Sequence, residues 1–372
     1  KVGYATVTGN ETVEITAKAV TITVDNASKG YGAADPTFTG TVEGLVAAGD
    51  LGAVTYSRTN SDVNDIGTYE DVITASYTAN GNYNVTVAKG DFAITALPMS
   101  DVTAEGYAAP YDGIAHGITV SGAPDGATIE YSLDGTTNWT TTNPTYTDVT
   151  PATTVYYRVS KVGYATVTGN KTVEITAKAV TITVDNASKG YGAADPTFTG
   201  TVGELVAAGD LGTVTYSRTN SDVNDIGTYA DVITANYTPN GNYNVTVVKG
   251  DFAITALPMS DVTASGYADE YDGAAHGITV SGAPDGATIE YSLDGTTNWT
   301  TANPTYTDVT AATTVYYRVS KVGYATVTGN ETVEITAKAV TITVDNASKG
   351  YGAADPTFTG TVGELVAAGD LG

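Results

Sequence analysis

Nineteen residues, Glu14 to Gly32, recur without a change from Glu174 and again from Glu334, so the chain repeats itself every 160 residues. A period of that kind makes a chain an array of units before it is anything else. The stretch is also a joint: apolar and polar residues alternate up to Ala17 and again from Ala19 to Val24, with Lys18 alone between them. Alternation with a period of two marks half-buried strands, so two strands meet here with almost no linker. Residues 1–160 and 161–320 differ at only 14 positions, among them Glu11 against Lys171, Glu70 against Ala230 and Ala79 against Pro239. Any site in one copy is therefore presented again in the next.

Apolar residues make up 41% of the 372, enough for folded cores, but they come in short alternating runs between Gly, Asn, Asp and Thr. That pattern predicts strands and small cores. The best helical candidate, Glu43 to Gly52, has room for one short turn before its glycines end it. A net charge of −25 with no basic cluster argues against nucleic acid and anionic lipid, which need Lys and Arg to neutralise phosphates. The absence of cysteine excludes disulfides, thiolate-bound zinc and thiol catalysis. No apolar run is long enough to insert in a membrane and no signal peptide opens the chain; in a longer protein both would lie outside this segment.

Within a period two modules alternate. Module A occupies residues 18–97 and 178–257, and module B residues 98–177 and 258–337. Residues 1–17 match the end of module B, and residues 338–372 match the start of module A, so the chain reads as a window onto a longer array. Module A is expected to hold strands near Val20–Val24, Thr37–Val42, Val54–Arg58, Thr68–Tyr77, Tyr83–Val87 and Asp91–Ala96, with Asn80-Gly81 as a hairpin turn. Module B is expected to hold them near Ile118–Ser121, Thr128–Ser132, Thr153–Lys161 and Thr172–Thr176, with shorter edge pieces near Val102 and Thr145. Strands of this length and spacing predict an all-β fold of tandem immunoglobulin-like antiparallel β-sandwiches in an elongated array. Junctions without Gly or Ser runs, one of them stiffened by Pro98, predict a rod that extends about 70 Å per period, at about 3.3 Å per strand residue.

Asp65-Ile-Gly-Thr-Tyr69 has the form of a tyrosine corner, and Val149-Thr-Pro-Ala-Thr-Thr-Val-Tyr-Tyr-Arg-Val159 is similar to the proline-to-tyrosine corner of fibronectin type III domains. Lys29-Gly-Tyr-Gly-Ala-Ala-Asp-Pro36, repeated at Lys189 and Lys349, resembles the bacterial MBG domain of the YGX type over the whole of module A. Module B, with Tyr111-Asp-Gly-Ile-Ala-His116, resembles the companion repeat called YDG. The resemblance implies large secreted or surface-attached bacterial proteins with adhesin-like organisation. It implies no active site and no defined ligand.

Asp62-Val-Asn-Asp-Ile-Gly67 spaces Asp62 and Asn64, with Asp222 and Asn224 in the next copy, as alternate oxygen ligands for calcium; Ile66 stands at the third ligand position and no closing glutamate follows. Asp25, Asp35 and Asp101 near the junctions are further oxygen donors. Trp139 and Trp299 would suit sugar stacking if exposed, but the single Trp of a small sandwich is expected in its core, here with Tyr131, Tyr156 and Tyr157 around it. His116 and His276 are one position in two copies and have no nucleophile partner, so they read as structural. A Thr–Gln ester cross-link is excluded because the chain has no Gln. A Lys–Asn isopeptide needs a buried Lys beside an Asn and a carboxylic acid, and Lys18 and Lys29, next to junctions or loops, argue against one. Sequons at Asn10, Asn26, Asn84 and Asn138 are frequent enough to arise by chance.

No acid/base pair, metal cluster or nucleophile constellation supports an enzyme. The sequence therefore predicts an extracellular structural stalk or filament segment of a bacterial surface protein, whose partners are its neighbouring modules and other copies in a filament. The alternative is a set of adhesin repeats that hold host or matrix glycans through multivalency.

Overall fold

The structure, a computed structural model, describes residues 2–371; Lys1 and Gly372, the outermost residues of the two end fragments, lie outside the described residues. The chain divides into two compact units, Lys1–Lys178 with Gly241–Asn244, and Ala179–Asn240 with Val245–Gly372. Among the described residues there is no helix. In the stretch 43–52 Glu43 ends a strand, the rest forms bends and turns, and Leu51 is driven fully into the core.

In the first unit, module A has seven strands: β1 (Lys18–Val24), β2 (Ala27–Gly30), β3 (Gly40–Glu43), β4 (Thr55–Arg58), β5 (Gly67–Ser76), β6 (Tyr83–Ala88) and β7 (Gly90–Thr95). They make two sheets, ordered β3-β1-β6 and β2-β7-β5-β4. The run 18–30 starts in one sheet and crosses to the other, so β1 pairs parallel with β6 and β2 parallel with β7, while the remaining pairs are antiparallel. Alternation along β1 buries Val20, Ile22 and Val24 and leaves Thr21 and Thr23 in water. These side chains pack with Leu51, Ile73, Phe92 and Ile94 between the sheets. Full burial of each such side chain is worth about 1.5–3 kcal/mol.

Module B has β8 (Thr103–Glu105), β9 (Tyr107–Pro110), β10 (Thr119–Ser121), β11 (Thr128–Ser132), β12 (Thr150–Ser160) and β13 (Val167–Thr176). A four-stranded sheet, β11-β12-β13-β9, faces the pair β10-β8. Val155, Tyr157 and Val159 of β12 join Met99, Ile118, Tyr131 and Val173 in the core. The pairing of β12 with β13 shifts register between Thr150 and Thr153, and the same shift falls between Thr310 and Thr313, where Ala311 stands in place of Pro151. The irregularity therefore belongs to the fold and accommodates the proline rather than arising from it. The second unit repeats both modules, with cores built on Ile182, Leu211, Ile233 and Phe252, and on Ile278, Val315, Val319 and Val333.

The end fragments carry the same residues in different company. Ile175 is 2% exposed in β13, whereas its copy Ile15 is 92% exposed in a segment with no strand; Ile22 is 0% exposed and its copy Ile342 is 61% exposed. Ile342 keeps its strand pairing with Val362, so what it lacks is the facing sheet; burial here depends on tertiary partners rather than on the strand's own sequence.

Candidate functional site

Three groups of side chains remain after the cores are accounted for. In module A, the loop 59–66 that carries Asp62 and Asn64 closes over Arg58. The guanidinium, 2% exposed, donates to the backbone carbonyls of Asn60, Ser61 and Val63 at 2.8, 3.1 and 2.9 Å. It also grips both oxygens of Asp35, at 2.5 Å from Nε and 3.2 Å from Nη2, and stacks 4.7 Å from the centre of the Phe92 ring. Lys29 Nζ donates to Asp35 Oδ1 at 2.8 Å and to Asn64 Oδ1 at 3.1 Å. Arg58 first, and Lys29 after it, hold the Asp35 carboxyl below the ordinary carboxylate range against the opposing effect of burial. The arrangement recurs at Arg218, Asp195, Lys189 and Asn224.

This geometry bears on calcium. The loop carbonyls and the Asn64 side-chain oxygen already face two protein cations, and Asp62 is exposed; Asp222 and Asn224 repeat the arrangement. Asp25 accepts from the Thr39 hydroxyl at 2.7 Å and Asp101 from Ser100 at 3.3 Å. Among the described residues no group of three or more acidic, His or Cys side chains converges on a point that could hold a metal.

In module B, Trp139 does not join the core, which corrects the expectation from sequence. Core positions on β11 and β12 go to Tyr131, Val155, Tyr157 and Val159. Glu130 and Arg158 pair across the two strands on the outward face, with Arg158 Nε 2.7 Å from Glu130 Oε2. The half-buried Trp139 lies under that guanidinium, 4.6 Å from its ring centre, an arrangement that favours the cation electrostatically. The loop before it is held by Asp134, whose oxygens accept from the Thr137 hydroxyl, the Thr136 and Thr137 N–H groups and Ser132 Oγ. Those bonds keep its carboxyl far below the usual range, and Asn138 takes the left-handed conformation, at φ 54°, that turns Trp139 back onto the sheet. Trp299 stands in the same place over Arg318. Asp294 and Asn298, with Tyr291 and Pro304, line a hollow of about 260 Å³ beside it.

His116 stacks on Tyr107 with ring centres 3.7 Å apart, and its Nε2 lies 2.9 Å from Asp112 Oδ2. Its backbone exchanges hydrogen bonds with Tyr146. These contacts tie the Tyr111-Asp112-Gly113 turn to the sheet.

The third group is the joint between modules. Inside each unit the connection from A to B is hydrogen-bonded on both sides: Leu97 N donates to Gly163 O and Ala165 N to Leu97 O, each at 2.9 Å, with the same bonds at Leu257, Gly323 and Ala325. Tyr31, from the Lys29-Gly-Tyr-Gly turn, lies flat against Gly163. A Cβ at Gly163 would come within 2.2 Å of the Tyr31 ring, and its φ of 88° lies in the left-handed region. In the second unit, Tyr271 and Gly273 of the module B turn meet the 338–371 segment, with Gly273 beside Val366. There Tyr271, Val309, Ala337, Leu365 and Val366 line a hollow of about 210 Å³. The two short turn motifs legible in the sequence are thus joint-forming turns, a role that sequence reasoning assigned to the 14–32 stretch without seeing which side chains perform it.

The family model of the MBG domain (YGX type) matches residues 20–93, 180–253 and 340–371. No curated protein sequence matches the chain. Among solved structures, similar arrays are Sidekick-1 immunoglobulin domains 1–5 (10% identity, 84% of this chain and 79% of that one, TM-score 0.19) and the human desmocollin-1 ectodomain (10%, 87% and 83%, 0.24). The protocadherin gammaB7 EC3-6 structure is a third (11%, 86% and 100%, 0.26). Scores of that size carry no functional argument. These three stretches, each opening at the strand that precedes the tyrosine turn, are the chain's matches to the MBG domain of the YGX type.

Proposed function

We propose that this chain is a run of non-catalytic spacer modules in a stalk or filament of a bacterial cell-surface or secreted protein of adhesion type. The observation that supports it most directly is the A-to-B joint, where two backbone hydrogen bonds and a packed tyrosine replace a linker. A joint of that kind costs little entropy to hold in one geometry, so tension or bending is transmitted from module to module. Acidic, Thr-rich surfaces suit solvated modules that must not aggregate through their edges. Among the described residues no helix is long and apolar enough to cross a membrane. Solution scattering from proteins with one, two and three periods tests the reading. The maximum dimension should rise linearly with repeat number, and a dimension that levels off would overturn it.

A second reading, repeats that bind host or matrix glycans, is favoured by the Trp139 and Trp299 faces. Replacing both tryptophans with alanine should leave the thermal midpoint nearly unchanged, because neither belongs to a core, while any binding on a glycan array should vanish. Calcium is expected to play no part in stability. Since Lys29 and Arg58 occupy the oxygens of the 59–66 loop, the thermal midpoint should be the same in excess EGTA and in millimolar calcium.

A further inference from the structure

We propose that Lys29 and Asn64, and likewise Lys189 and Asn224, are joined by an intramolecular isopeptide bond whose formation Asp35 and Asp195 assist. Position in the sequence argued against Lys29, which lies beside a turn. Folding reverses that: its side chain is 6% exposed, because the 59–66 loop and Arg58 close over it.

The cluster brings together the three groups that such a reaction requires. Lys29 comes from β2, Asp35 from the following loop and Asn64 from a loop in another part of the module. The fold sets Nζ 2.8 Å from a carboxylate oxygen and 3.1 Å from the amide oxygen of the acceptor, separations of the kind that make two groups behave as one reactant. In the second unit the distances are 2.9 and 3.1 Å. Asn64 Nδ2, the leaving group, donates to Asp62 O at 3.3 Å, which orients the amide.

Atoms and charges balance without a cofactor. The Lys29 ammonium gives a proton to Asp35, and the free amine adds to Asn64 Cγ to form the Nζ–Cγ bond. Nζ of the adduct gives up a second proton, which passes to Nδ2 together with the one Asp35 returns; the Cγ–Nδ2 bond then breaks and the nitrogen departs as ammonium, leaving Asp35 a carboxylate again. Two cations, whose side chains are 6% and 2% exposed, share one carboxylate in the unreacted cluster, so amide formation removes a surplus charge from poorly hydrated groups. Arg58 makes Asp35 a reluctant base, so the bond should form slowly.

The inference stands apart from the stalk reading, because a covalent tie within module A has no bearing on the joints. It is tested on the full chain by intact mass and peptide mapping, freshly purified and after long incubation. The expected result is loss of one ammonia from each complete module A, with a branched peptide joining Lys29 to Asn64 and another joining Lys189 to Asn224. Lys29→Arg with Lys189→Arg, which keeps the cations, should abolish both branches. An unshifted mass in folded protein overturns the proposal. So does ammonia loss without branched peptides, which would place the event at a succinimide such as Asn80-Gly81.

Discussion

Replacing Arg58 and Arg218 with alanine is expected to unfold module A selectively. The change leaves three loop carbonyls and an anionic Asp35 without a partner that is itself 2% exposed, against 28% for Asp35; breaking a buried ion pair from one side costs about 3–5 kcal/mol, an upper bound for a carboxylate that keeps some water. That is a large share of the 5–15 kcal/mol that a domain typically has. Both tryptophans lie in module B. In urea, tryptophan fluorescence should therefore keep its original transition, while far-UV circular dichroism and hydrogen exchange at β4, β5 and β7 shift to lower denaturant. Coincident shifts in all probes would mean that the modules unfold as one block. The same cluster gives an acid response. The folded Asp35 carboxyl lies below its unfolded value, so its contribution is complete above the ordinary aspartate range near pH ~4 and is lost as pH falls through the lowered folded value. Module A should thus stay intact at mildly acidic pH and weaken only in stronger acid.

Gly163→Val is expected to open the joint and spare both cores. A β-branched side chain there meets the Tyr31 ring and must adopt a left-handed backbone. Overpacking costs roughly 1–3 kcal/mol and the left-handed conformation about 1–2 kcal/mol more. At about 1.4 kcal/mol per factor of ten, the open joint should become roughly thirtyfold more populated or better. Limited proteolysis near Leu97 reads this directly, since Leu97 is held by Gly163 and Ala165. Tyr31→Ala in the same background should restore room for the valine without restoring the packing, so cleavage should stay fast. An unchanged cleavage rate in Gly163→Val would show that the joint does not depend on that contact.

Much of this fold was legible from alternation and turns, because β1, β7 and β12 carry their own buried stripe and β6 alternates between half-buried and exposed residues. The strands that were missed, Ala27–Gly30 and Tyr107–Pro110, have little β character and become strands only because β7 and β13 offer them parallel backbone partners. Trp139 was misplaced for a related reason: the tyrosines of β11 and β12 already fill the core, and the loop held by Asp134 delivers the indole to the opposite face. Lys29 was misjudged because sequence position says nothing about which distant loop will cover a side chain. Asn64 lies 35 residues away, and Arg58 reaches the same spot from a third element.

The parallel pairs also govern how such a chain leaves the ribosome. β1 waits for β6 and β2 waits for β7, so a module A has no closed core until nearly all of it has been synthesised, and contacts of that span fold slowly. An array of identical modules synthesised in series would offer every waiting strand the wrong copy of its partner, the usual route to swapped and misfolded neighbours. Alternation of A with B sets a differently cored module between identical ones. Each emerging strand of module A then has a differently cored module, not a second copy of its own partner, as its nearest neighbour along the chain.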